Sequence, residues 1–135
     1  MGHTTLWSEQ MVLPAEVGSA AKARAFVAHQ LVDHRLLYLV DEVRLVASEL
    51  ATNAIVHAMT AFTVILEGRE LSVLLTVRDG SPRTPTRLDI AQATRMSGRG
   101  LAIVDLMSQS WGVADLDDAS KSVWAQFEKR SRAVS

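Results

Sequence analysis

Near residue 60 the spacing of apolar side chains changes, and that change restricts the fold more than any single motif does. Upstream, apolar residues recur every three or four positions; downstream come β-branched runs suited to extended backbone. A chain that reads as helices first and strands afterwards packs as a helical layer on a sheet. From Glu16 to Asp33, Val17, Ala20, Ala21, Val27, Ala28 and Leu31 predict one amphipathic helix. Val43, Val46, Ala47, Leu50, Ala51, Ala54 and Ala58 predict a second, in a stretch from about Leu39 to Ala58 that contains no glycine or proline. FTVIL (62–66) and LSVLLTV (71–77) flank the polar segment EGRE and predict an antiparallel hairpin.

The remaining segments complete the layers. TTLWSEQMV (4–12) predicts a first strand, ended where Pro14 restricts Leu13. Residues 79–97, with two of the three prolines, predict a long loop. RGLAIVDLM predicts a third helix, SWGVAD (110–115) and SVWAQF (122–127) two last strands, and EKRSRAVS a frayed tail. Trp7, Trp111 and Trp124 fall in these strands and are expected in the core. The fold class expected is an α/β two-layer sandwich, a mostly antiparallel mixed sheet covered on one face by about three helices. With 135 residues, one domain is expected over 1–135, its core at about 13–127.

Composition removes several chemistries. The chain has no cysteine, which excludes thiolate metal sites, thiol nucleophiles and disulfides. A formal charge of -1 argues against a dedicated duplex-DNA binder or a polybasic membrane protein. No stretch approaches the ~20 consecutive apolar residues of a membrane span, and MGHTTLWSEQ lacks the pattern of a secretory leader, so a cytoplasmic location is expected. P-loop, dinucleotide-binding, G-x-S-x-G and H-E-x-x-H motifs are absent, and His3, His29, His34 and His57 have no metal-ligand spacing. His57 is expected to pack or to make a structural hydrogen bond.

Three places concentrate chemistry. In SELATNAIVHA, Glu49 and Asn53 stand four residues apart, about 40° around a helix axis, at the edge of the apolar stripe. A carboxylate there can accept a proton from an attacking hydroxyl, and an amide oxygen suits magnesium; taken alone, such a pair is equally a solvated glutamate and a backbone-bonded asparagine. Arg78-Asp79-Gly80-Ser81-Pro82 puts a carboxylate where a strand meets a loop, able to accept from an exocyclic amine or simply to form a turn. Gly98-Arg99-Gly100 opens the third helix, where unpaired N–H groups can face a phosphate. Five arginines against two aspartates between 78 and 99 make that stretch locally basic, which fits a polyphosphate or a solvated loop.

In this order SELATNAIVHA, VRDGSP, SGRGLAIVDLM, SWGV and KSVWAQF resemble the anti-sigma regulatory factors, serine-protein kinases of the histidine-kinase-like (GHKL) ATPase group, in their short actinobacterial form. The resemblance spans about Leu13 to Phe127. It implies a Bergerat ATP-binding fold, with ATP and magnesium as cofactors. Asn53 would ligate the metal, and Glu49 would be the general base toward a partner's serine or threonine. Asp79 would bond the adenine amino group with Gly80 and Ser81 beside it. Gly98, Arg99, Gly100 and Leu101 would form the phosphate-side lid and helix start, and Ser122 would help hold adenine. It further implies a sigma factor held inactive, a STAS-type antagonist phosphorylated in a partner switch that regulates transcription, and pairing as a homodimer. No direct contact with nucleic acid or membrane is implied.

The chain departs from the family pattern at several points. Ser81 and Arg83 occupy the two later glycine positions of the first glycine box, and Met59 stands where a glycine often follows the helix. DLDDAS replaces a glycine-rich turn before Lys121. The altered box supports an alternative, a nucleotide-responsive protein-binding regulator that does not transfer phosphate. A free-standing ATP hydrolase is a weaker third reading.

Overall fold

A computed structural model describes residues 4–80, 100–115 and 121–130. Most of the loop expected at 79–97, and residues 116–120 and 131–135, lie outside them. Among the described residues five strands are present: β1 (Thr5–Leu13), β2 (Phe62–Arg69), β3 (Ser72–Asp79), β4 (Ser110–Asp115) and β5 (Lys121–Glu128). They form one sheet in the order β1-β2-β3-β5-β4. Among the described residues every pairing is antiparallel, in keeping with the mostly antiparallel sheet expected. Helices α1 (Ser19–Asp33), α2 (Val40–Asn53) and α3 (Gly100–Met107) complete the layer, with α2 packed between the other two.

The sheet buries one face, as its period-two pattern requires. Phe62, Val64 and Leu66 of β2, Val73, Leu75 and Val77 of β3, and Ala125 and Phe127 of β5 are buried. They meet Val27 and Leu31 of α1, Val43, Val46 and Leu50 of α2 and Val104 of α3 in a single cluster. Intervening residues such as Thr63, Ile65, Thr76 and Trp124 are half-buried and belong to the opposite face.

The hairpin is longer than expected and its turn is shorter. Glu67, Gly68 and Arg69 belong to β2, leaving only Glu70 and Leu71 between the strands. Gly68 is there for space: a Cβ would lie 2.0 Å from Nε1 of Trp7 on β1. The Trp7 ring in turn stacks on His34, with centroids 3.7 Å apart and planes 3° from parallel. Each of the three tryptophans is half-buried; Trp7 and Trp111 pack against the core cluster, Trp124 lies on the opposite face of the sheet, and Trp111 Nε1 donates to Asp105 Oδ1 at 3.0 Å.

Both long helices differ from their sequence outline. The first begins at Ser19, whose hydroxyl donates to the Pro14 carbonyl at 2.7 Å, and it buries Ser19, Ala23, Val27 and Leu31. Val17 precedes the helix and is 91% exposed, and Ala21 is exposed too, so that part of the expected stripe is displaced. Helix α2 is entered through a 3₁₀ turn at Leu37–Leu39 and carries Asp41 and Glu42 in its first turn, where negative charge suits the helix dipole. After Asn53 it widens into a π turn, Ala54–Ala58, which ends on a left-handed Met59 (φ 59°, ψ 27°). The widening shifts later positions off the α-helical stripe, leaving Ala58 half-buried and His57 exposed, so the expected packing role of His57 is not met.

The chain stays attached beyond the last strand. The Lys129 N–H donates to the Leu71 carbonyl at 3.0 Å and the Arg130 N–H to the Tyr38 hydroxyl at 3.1 Å, so fraying does not begin at residue 128. Among the described residues no helix is long and apolar enough to cross a membrane.

Candidate functional site

The acid and the amide lie on the last turns of α2. Glu49 and Asn53 are both half-buried, next to the buried Leu50 and Ala54, which places them at the border between core and solvent. Ser48 accepts a hydrogen bond from Arg24 Nη1 at 2.9 Å, fixing α2 against α1 immediately before Glu49. Asn53 is the last α-helical residue before the π turn. Such turns recur at functional sites because they re-aim the backbone locally.

The second group lies at the end of β3. Asp79 closes the strand and is only 5% exposed. Its register partner is Lys121 at the start of β5, and Lys121 Nζ lies 3.6 Å from Asp79 Oδ2. An ammonium beside a buried carboxylate offsets part of the desolvation that burial imposes. The Gly80 N–H donates to Thr60 Oγ1 at 3.1 Å. Thr60 is seven residues beyond Asn53, so this bond ties the segment following α2 to the turn that carries Asp79.

Ser122 is 6% exposed, yet its register partner is Arg78. Directly opposed residues of an antiparallel pair share a face and neighbours alternate. The hydroxyl expected on the base side of the pocket therefore stands on the other face of the sheet, and the place opposite Asp79 belongs to Lys121. Gly100 opens α3 as expected, with Leu101 following it in the helix. Ser81, Gly98 and Arg99 lie outside the described residues. Sequence reasoning missed Thr60 and Lys121. Lys121 could have been found by counting along β5 from Phe127, whose buried face repeats every second residue; Thr60 carries no comparable signal.

Among the described residues no three His, Asp or Glu side chains gather as a metal cluster. A magnesium site needs no such cluster, since one or two protein ligands suffice when substrate phosphates supply the rest. An open cleft of about 1050 Å³ lies at the other end of the sheet, against His34, Arg35, Tyr38, Arg69, Glu128 and Arg130, and is lined by none of Glu49, Asn53, Asp79, Lys121 and Ser122. Residues 13–127 match the family described as the histidine kinase-like ATPase domain. No curated protein matches the chain.

Proposed function

Because the chain belongs to the histidine kinase-like ATPase domain family, we propose that it is an ATP-dependent serine/threonine protein kinase that also acts as an anti-sigma factor. In this reading it sequesters a sigma factor and phosphorylates a STAS-type antagonist, forming a partner switch in transcription, and it pairs as a homodimer. One observation carries the site assignment: Glu49 and Asn53 stand one turn apart at the end of α2, and the segment that follows is bonded to the turn beside the buried Asp79.

The side chains divide the work. Asp79 accepts a hydrogen bond from the adenine amine and so orients the base. The Glu49 carboxylate takes the proton of the partner's hydroxyl as that oxygen bonds to the γ-phosphorus and the bridging bond to the β-phosphate breaks, releasing ADP. Asn53 offers an amide oxygen of the kind that magnesium accepts, and it sits at the helix edge where the phosphates would run. Bound magnesium would neutralise charge on the triphosphate. Backbone N–H groups at the start of α3 add an anion-binding end to the pocket.

General-base assistance is worth roughly 10²–10⁴ in rate, so Glu49→Ala is expected to slow label transfer from ATP to the antagonist by that factor while ATP binding persists. Equal transfer by variant and parent would remove Glu49 from the mechanism. ATP binding by the parent with no transfer to any antagonist would favour the non-catalytic regulator, which the Ser81 and Arg83 substitutions of the glycine box also suit.

A further inference from the structure

Two opposite charges meet where β3 ends and β5 begins. Lys121 Nζ lies 3.6 Å from Asp79 Oδ2, on the same face of adjacent strands, and the side chains are 17% and 4% exposed. A carboxylate alone can only accept hydrogen bonds, and an ammonium can only donate them. Adenine presents an amine donor at its six-position, whereas guanine presents a carbonyl acceptor there with a ring N–H beside it. A site with Asp79 alone would match adenine and oppose the guanine carbonyl. With Lys121 beside it, the ammonium can donate to that carbonyl while Asp79 accepts from the ring N–H.

We propose that Lys121 is a base-reading residue that opens this pocket to guanine as well as adenine nucleotides. The inference rests on the nucleotide reading given above. It makes Lys121 a determinant of substrate class: with the lysine, the edge of the pocket is a donor next to an acceptor and fits either purine; without it, the edge is an acceptor and selects adenine.

The test is calorimetry of the full chain with magnesium-ATP and magnesium-GTP, repeated on Lys121→Met and Lys121→Arg. The parent is expected to bind GTP within about tenfold of ATP, where an acceptor-only site would discriminate far more strongly. Loss of one charged hydrogen bond predicts that Lys121→Met weakens GTP binding roughly 10- to 100-fold, with a much smaller change for ATP. Lys121→Arg, which keeps a donor, is expected to retain GTP binding. A parent that binds ATP but rejects GTP overturns the proposal, as does a Lys121→Met protein that loses both nucleotides equally, since the lysine is then only a structural ion-pair partner. A parent that binds neither nucleotide overturns the nucleotide reading, and the proposal falls with it. Should Lys121→Met not fold, the parent's ATP-to-GTP ratio and the arginine variant still decide.

Discussion

Met59 holds its backbone at φ 59° with a side chain that is 75% exposed. Left-handed backbone crowds a Cβ at a cost of about 1 kcal/mol, and glycine escapes that crowding. Little packing is forfeited at so exposed a position, so Met59→Gly is expected to stabilise the fold by about 0.5–1 kcal/mol, part of the gain being offset by glycine's greater freedom when unfolded. The check is a higher denaturant midpoint at unchanged slope; a lower midpoint would mean that the methionine makes contacts worth more than the crowding costs. Asp79 poses the functional question at this scale. Asp79→Asn replaces a charged acceptor by an amide and separates Lys121 from its counter-ion. ATP affinity is expected to fall roughly 10- to 100-fold by calorimetry, the value of one charge-assisted hydrogen bond, and an unchanged affinity would contradict the proposed contact.

Strand β1 is an outer strand whose residues are mostly exposed, and Leu13 is its one buried side chain. Trp7 holds its other end, resting over Gly68 and against His34. In Gly68→Ala the new methyl displaces that ring, and a loss of about 1–3 kcal/mol in unfolding free energy is expected. In a Trp7→Ala background the same substitution should cost far less, because the ring it meets is gone; equal costs in both backgrounds would show that Trp7 is not the obstacle. This contact also explains why EGRE reads as a turn in the sequence. A glycine among polar residues signals a turn locally, whereas its function here depends on a tryptophan 61 positions away. The stripe of α1 was blurred for a related reason: Ser19 and Ala23 are small residues that carry little apolar signal, yet they are buried.

For the molecule as a whole, any ligand that binds only the folded chain stabilises it by mass action. ATP at about one hundred times its dissociation constant should contribute about 2.7 kcal/mol, visible as a rise in melting temperature that Asp79→Asn, binding roughly 10- to 100-fold more weakly, cuts to the equivalent of about 0.4–1.4 kcal/mol at the same concentration. Absence of any rise for the parent would count against a nucleotide pocket. The layered architecture was readable because periods of two and of about three and a half are local properties, and the positions of Glu49, Asn53 and Asp79 on their elements were readable because each sits at a fixed step along its own element. Lys121 and the reversed position of Ser122 were not, since the β3–β5 register decides both and neither strand contains it alone. The bond between Thr60 and Gly80 has a bearing on how such a chain can change over time. It joins the segment that follows α2 to the residue after β3 through atoms that all lie outside the nineteen residues at 81–99. Substitutions at 81–99 can therefore accumulate without removing either partner of this bond.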